Sequence, residues 1–365
     1  MTRRIGTAFA VTACALAAAP SACALELVRE GSALVFRGSP GEVNHLSVSE
    51  DTFESFTSKL HFADRGEFPI QADPAIGCEI RRSTWGGFAD CPYEGVTEVR
   101  LEGGDGNDVM VLNATDMLPV RVVLDGGPGD DEIDGPGNDY PSVLLGGDGS
   151  DKLRGGAGDD EIDAGPGNDV AMGQDGDDQV RGGEGDDQLT GGPRVDRDVI
   201  DGGPGRDRSV NDWSDTDDVT RPPIWVSLDG RPNDGRRGEG DNVTGVETFE
   251  VNLTATFRAG GDPVEFVVNR SIEGPGSRIT GSPGADRLAG YTDDDVIEGR
   301  GGSDAIFAGM GDDRVLARDG VKDTIDCAEG ADTVIADRID TVANCERVDT
   351  GGRKKGKKGR KGKRG

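Results

Sequence analysis

The sequence predicts an all-β protein in which nine-residue units, each a glycine-rich turn followed by a short strand, stack into a solenoid. Three observations carry this. A unit with glycine at its start and aspartate at its sixth place recurs in strict phase over two stretches of the 365-residue chain. In the second of these stretches one aliphatic residue stands two places beyond each phased aspartate, where a short strand would turn a side chain inward. Aromatic residues are 5% of the chain and AVILMFWYC residues 33%, too few for a conventional core of large side chains at this length.

Residues 1–24 read as a secretory leader. Arg3 and Arg4 precede an apolar run from Ile5 to Ala19, and Ala22-Cys23-Ala24 offers a small-x-small cleavage site. Val11-Thr12-Ala13-Cys14 looks like a lipoprotein processing box, but the apolar stretch before it is short and another follows, which argues against lipidation. No later segment approaches the roughly 20 apolar residues of a membrane-spanning helix, so a soluble extracellular protein is expected. The cysteines beyond the leader, Cys78, Cys91, Cys327 and Cys345, are an even set that suits an oxidising destination. Sequence-local pairing, Cys78 with Cys91 and Cys327 with Cys345, would close two small loops, each stabilising by roughly 3 kcal/mol in the chain-entropy account. A zinc site is the rival, and the wide spacings count against it.

Residues 25–100 alternate apolar and polar residues in runs such as LELVREGSALVF and VNHLSVS, punctuated by Gly and Pro, and read as strands and hairpins. This segment is expected to be the N-terminal cap that a solenoid requires, ending in a disulfide-closed hairpin from Cys78 to Cys91. Residues 101–210 hold the first array. Asp108 and Asp131 mark good copies and Asp139 a degenerate one; Asp151, Asp160, Asp169, Asp178 and Asp187 then follow at intervals of nine, and a two-residue insertion shifts the frame to Asp198 and Asp207.

Residues 211–280 form a β-rich insert, in which Phe249, Val251, Leu253, Ala255 and Phe257 alternate with polar residues as a half-buried strand does. Its loop from Asp229 to Asp241 is acidic but matches no EF-hand spacing, so a solvated turn is expected there. The second array with its terminal cap occupies 281–348, with Asp286, Asp295, Asp304 and Asp313 in phase and Asp323 and Asp332 after a one-residue slip. Its aliphatics are Leu288, Ile297, Ile306, Val315, Ile325 and Val334. Residues 349–365 end in nine basic residues separated only by glycine, a composition expected to stay disordered.

Charge separates these regions. The chain has 70 acidic and 40 basic residues, and removing the two arginines of the leader and the nine basic residues of the tail leaves 29 basic against 70 acidic, or −41. Such a body repels phosphates, which excludes nucleic-acid partners, and repels itself until cations neutralise it. The unit supplies the means. Glycine permits the positive φ that points carbonyl oxygens inward, the sixth-place carboxylate stands beside them, and hard oxygen ligands suit calcium. One buried aliphatic per nine ordered residues does not offset their conformational entropy, so calcium is expected to decide folding.

Tandem GGDGSDKLR, GGAGDDEID, AGPGNDVAM, GQDGDDQVR and GGEGDDQLT, with GSPGADRLA to AGMGDDRVL later, resemble the haemolysin-type calcium-binding, or RTX, repeats. That resemblance implies a parallel β-roll with several calcium ions held between successive turns. It implies as ligands Asp108, Asp131, Asp151, Asp160, Asp169, Asp178, Asp187, Asp198, Asp207, Asp286, Asp295, Asp304 and Asp313. The phrases VSLDGRPNDG and DGVKDTIDCAEGADTVIADRIDTVANCERVD are similar to inserts and endings of secreted bacterial proteins of this kind, particularly from actinobacteria. The cleavable leader and basic tail depart from the uncleaved C-terminal export signal of many RTX proteins.

No enzyme is expected. The two histidines, His45 and His61, stand in no HExxH motif, and neither a GxSxG elbow nor a P-loop occurs. The expected function is that of a secreted calcium-binding protein with a structural or cell-surface role. The alternatives are a calcium-dependent adhesin and a secreted hydrolase carrying such repeats. An anionic wall or membrane surface is the candidate partner of the tail.

Overall fold

The computed structural model describes residues 25–351 apart from 39–40, 51–58, 65–69, 84–85, 93, 114–119, 193–195, 212–223, 228–241, 245, 247, 252–254, 259–264 and 269–275. The expected leader, the acidic loop 229–241 and the basic run 353–365 lie outside the described residues.

Apart from one 3-10 turn at Pro74–Ile76, the described elements are strands, arranged in sheets of ten, sixteen and seven. The repeats wind as a parallel β-roll. Strand Lys152–Gly156 pairs in parallel with Val170–Gln174, which pairs with Gln188–Thr190, and the register Lys152↔Val170↔Gln188 advances 18 residues per step. One turn of the coil therefore consumes two nine-residue units, and alternate units lie in opposite sheets. Glu161–Pro166 and Gln179–Glu184, from the intervening units, pair in the other sheet with the same step.

Between the two sheets lies a narrow core to which nearly every unit gives one apolar side chain, Ser209 taking that place in the unit of Asp207. Ile133, Leu153 and Leu189 from one sheet and Leu144, Ile162 and Val180 from the other are fully buried. The same places in the second array, Leu288, Ile297, Ile306, Val315, Ile325 and Val334, are also buried. The alternation is that of a strand with one face inward: in Glu161–Pro166, Ile162 and Ala164 are buried while Glu161 and Asp163 are exposed. The outward positions carry cross-strand ion pairs such as Arg154 to Asp134 (2.8 Å) and Arg181 to Glu161 (3.3 Å), each of small energy because it is solvated.

The parallel ladders begin on antiparallel strands near the N-terminus. Leu25–Glu30 pairs antiparallel with Ala33–Arg37, which starts one wall of the roll by pairing in parallel with Glu98–Glu102. His45–Glu50 starts the other wall against Val109–Asn113 and is backed by Lys59–Asp64, Gly86–Pro92 and Glu79–Ser83 in antiparallel order. The largest side chains pack here, with Phe36 and Phe62 edge to face at 5.6 Å. The Cys78–Cys91 disulfide closes the hairpin of the last two of these strands, with Cα atoms 4.2 Å apart. Cys327 pairs with Cys345 near the other end at 5.2 Å between Cα atoms. Both sequence-local pairs thus form.

The segment 211–280 continues the winding. Asn242–Thr244 pairs in parallel with Val199–Asp201, Thr248–Val251 with Arg208–Asn211, and Glu265–Val268 with Arg287–Tyr291. The sixteen-stranded sheet runs unbroken through it, whereas the opposite wall changes sheet. The ten-stranded sheet ends at Asn242–Thr244, and the seven-stranded one starts at Ile224–Ser227.

Candidate metal-binding turns

Each glycine turn links a strand of one sheet to a strand of the other, so the turns stack in columns along the two edges of the roll. Within a column the second and fourth places of the unit take the left-handed conformation, as at Gly147 (φ 108°) and Gly149 (φ 149°). A Cβ on either would collide with the backbone carbonyl of Gly127 or Gly129 in the preceding turn. The backbone imposes this conformation even where glycine is missing: Gln174, Tyr291, Arg300 and Ala328 hold φ of 62–84° at the second place. Carbonyls of the first and third places are taken by the stacking, since Gly127 N–H donates to Gly146 O (3.0 Å) and Gly129 N–H to Asp148 O (2.8 Å). Those of the second and fourth places point along the column.

All thirteen aspartates singled out by phase are buried, none more than 6% exposed. Each lies in a ladder along its column. The N–H of Asp108 donates to Asp131 Oδ1 (2.7 Å), that of Asp131 to Asp151 (2.8 Å), of Asp151 to Asp169 (2.7 Å), of Asp169 to Asp187 and of Asp187 to Asp207 (both 2.9 Å). On the other edge Asp160 N–H donates to Asp178 (2.8 Å) and Asp178 N–H to Asp198 (3.1 Å). In the second array Asp286 joins Asp304 (2.9 Å) and Asp295 joins Asp313 (2.8 Å). Asp139 is not in its ladder. Two extra residues in that turn bring Ser142 to the sixth place, where its N–H and hydroxyl both donate to Asp160 Oδ1 at 2.7 Å.

The second carboxylate oxygen is different. Oδ2 of Asp108, Asp131, Asp151, Asp160, Asp169, Asp178, Asp187, Asp295, Asp304 and Asp313 is buried with no hydrogen-bond partner. Except in the units of Asp169 and Asp313, which start with Ala164 and Ala308, it lies against the first glycine of its own unit, where a Cβ would strike it: Gly126 meets Asp131 Oδ2 and Gly173 meets Asp178 Oδ2. A buried carboxylate oxygen left in this way is costly. Burial first, and like-charged neighbours second, push Asp131, Asp169 and Asp304 up to about 7, Asp295 to about 8 and Asp178 to about 9.

A cation resolves both problems, supplying a partner for Oδ2 and compensating the charge. Among the described residues no three His, Cys, Asp or Glu side chains converge to hold an ion by themselves. The shell must therefore include backbone carbonyls, and a set of carboxylate and carbonyl oxygens fits calcium.

A second ladder was not singled out from the sequence. At the fifth place of the unit the N–H of Asp130 donates to Asn107 Oδ1 (3.0 Å), that of Asp177 to Asp159 (3.0 Å), of Asp186 to Asn168 (2.8 Å) and of Asp312 to Asp294 (2.7 Å). This ladder runs in the opposite sense and is exposed. Arg197 and Arg206 take the fifth place in the last units of the first array, and their guanidinium groups pair with Asp177 and Asp186. Hydrogen bonds to those arginines hold both carboxylates below the usual range. The signal was present in the sequence as the preference for Asp or Asn directly before each phased aspartate.

The ladders pass beyond the thirteen residues. Asp304 N–H donates to Asp323 and Asp313 N–H to Asp332, and these end on Asp340 and Glu346 respectively. Residues 99–115, 135–171, 163–193 and 280–315 match the RTX calcium-binding nonapeptide repeat, in four copies. No curated protein matches the chain. The matched repeats cover much of both arrays, and the hydrogen-bonded aspartates extend past them to Asp207 and Asp332.

Proposed function

We propose, from the premise that this chain carries RTX calcium-binding repeats in a β-roll, that it is a secreted protein whose roll folds around calcium and serves as an extracellular scaffold. The observation that carries this is the column of buried aspartates whose Oδ2 atoms have no hydrogen-bond partner. The phased aspartates from Asp108 to Asp313 are its calcium ligands, together with second- and fourth-place carbonyls of the turns. Bound calcium supplies charge compensation and a multi-oxygen clamp between turns. The protein's own residues do the rest: glycines admit close stacking, Oδ1 atoms fix turn spacing, and one apolar side chain from nearly every unit fills the interior.

Secretion is supported by the sequence of residues 1–24 and by two disulfides. Among the described residues no helix is long and apolar enough to cross a membrane. We take the protein to be non-enzymatic, because its phased aspartates are accounted for as ligands and His61 Nδ1 is tied to Asp90 Oδ1 at 2.6 Å between two cap strands. The test is a calcium titration of chelated protein followed by circular dichroism. A cooperative gain of β signal is expected, and a spectrum already β-rich in EGTA that does not change on adding calcium refutes the reading.

A second reading, attachment to an anionic surface, is favoured by the nine basic residues in 353–365. It requires cell association that weakens with salt and is lost on deleting those residues. Equal fractionation of truncated and full-length protein with cells at low salt refutes it.

A further inference from the structure

The two ends of the roll are finished differently. At the N-terminal end the walls start on antiparallel strands that enclose the largest side chains. At the C-terminal end they stop on the edge strands Thr341–Ala343 and Arg347–Asp349. The inward place of the unit shows the difference. Ile325 and Val334 are 1% and 0% exposed, whereas Val342, next in register to Ile325, is only partly buried and Val348, next to Val334, is 44% exposed. Ile339, in the turn that leads into Thr341–Ala343, is 52% exposed. A solenoid ordinarily covers such an end with a polar cap. Residues 353–365 are glycine and basic residues alone and bring no apolar side chain to cover it.

Backbone groups are open there as well. Thr341 N–H donates to Asp323 O at 2.8 Å and Arg347 N–H to Asp332 O at 3.0 Å, so these residues face the turn before. Successive residues of a strand direct their N–H and C=O to alternate sides, which leaves those of Val342 and Val348 directed at the open edge. Each edge strand thus offers one donor and one acceptor at its middle residue, and both middle residues are the inward ones.

A second copy fits this end. A twofold axis normal to the walls and passing through Val342 and Val348 lays each edge strand antiparallel on its own counterpart. Val342 then meets Val342 and Val348 meets Val348, each as a hydrogen-bonded pair. Arg347 of either copy lies opposite Asp349 of the other, a match of opposite charges made twice. The Asp349 side chain is 70% exposed even with Arg318 at 3.4 Å. The antiparallel arrangement also sends the two basic tails, which follow Arg347–Asp349, to opposite edges.

We propose that the C-terminal end of the roll is a dimer interface, where Thr341–Ala343 and Arg347–Asp349 pair with the same strands of a second copy and join two rolls into one continuous solenoid. The inference needs only the folded roll and does not depend on which ion the turns bind.

The test is sedimentation velocity of the full chain in calcium across micromolar concentrations, for the wild type, Val348→Pro and Arg347→Glu. Proline removes the Val348 N–H, which has no strand to donate to in a single roll, so the variant should keep its β circular dichroism. The wild type is expected to show a monomer–dimer equilibrium, and Val348→Pro a dissociation constant raised about tenfold or more. Arg347→Glu sets like charges opposite each other and should weaken the dimer too, and adding Asp349→Arg to it should restore the pairing. A monomeric wild type, a dimer that Val348→Pro leaves unchanged, or open-ended oligomers from head-to-tail stacking overturns the proposal. Should Val348→Pro lose its β signal, the loss at Arg347→Glu and its rescue by Asp349→Arg decide in its place.

Discussion

Protons and calcium should substitute for one another in this fold, and the structure sets the pH window. Nine ladder aspartates, Asp131, Asp151, Asp160, Asp169, Asp178, Asp295, Asp304, Asp313 and Asp323, are raised to values between about 6 and 9, chiefly by burial. In the unfolded chain such groups titrate near the ordinary value of 3.8. A folded-state value above the unfolded one means that the native protein binds more protons. The associated stability is fully present below about pH 4 and is lost as pH rises through 6 to 9. Each extra proton held by the native state changes stability by about 1.4 kcal/mol per pH unit, so a net excess of even two gives a slope near 3 kcal/mol per unit. Self-repulsion of the acidic body acts in the same direction. Exposed carboxylates with lowered values, such as Asp177 and Asp186, oppose it weakly because they are solvated. The assay is urea denaturation followed by circular dichroism from pH 4.5 to 9, in EGTA and in millimolar calcium. In EGTA the roll should be most stable in mild acid and lose its β signal toward pH 8, while calcium should hold it folded there and bind more weakly as pH falls. Stability in EGTA that stays flat or rises between pH 5 and 8 refutes the reasoning.

Other outcomes follow from single residues. Asp178→Asn retains the Oδ1 acceptor of the Asp160 N–H and removes the most perturbed carboxylate, so in EGTA at pH 7.5 it should stabilise the fold by about 1–3 kcal/mol. In calcium at tenfold excess that advantage should shrink by about 1.4 kcal/mol, read from paired urea melts. Gly149→Ala forces a Cβ into the Gly129 carbonyl at φ 149° and should cost more than the about 1–3 kcal/mol of backbone strain alone; Gly320→Ala, with open space at its Cβ, should cost less in the same melts. Non-reducing peptide mapping should recover Cys78 linked to Cys91 and Cys327 to Cys345, and reduction should lower stability by roughly 3 kcal/mol for each pair.

The ladder aspartates and the interior aliphatics were legible because stacking repeats one constraint at a fixed period, and both Asp160 and Ile162 must recur wherever a turn meets a strand. The 18-residue step was not. A period of nine shows that units are equivalent but not that neighbours lie in opposite walls, a fact set by the pairing of Lys152 with Val170. The fifth-place ladder was visible as Asn107, Asp130 and Asp159 but was overshadowed by the adjacent aspartates, and its exposed side chains have no apolar marker. Ser142 escaped notice because the sixth place can be filled by any residue with a free N–H, so composition alone mislocated that turn at Asp139. At the C-terminus the shortened, glycine-free turn 336–340 removed the motif, while Asp340 at the ladder's acceptor place kept the hydrogen bond to Asp323.

The two walls of the roll differ in continuity, and this has a mechanical consequence. One wall is hydrogen-bonded from the cap to Thr341–Ala343 without interruption, whereas the other passes from a sheet ending at Asn242–Thr244 to one starting at Ile224–Ser227. Backbone ladders resist bending because every rung must be stretched or sheared. A beam with one unbroken flange and one jointed flange is compliant at the joint and stiff on either side. Load applied across the molecule should therefore concentrate where the strand Asn242–Thr244 gives way to Ile224–Ser227, so that the two arrays act as separate stiff arms on a shared spine.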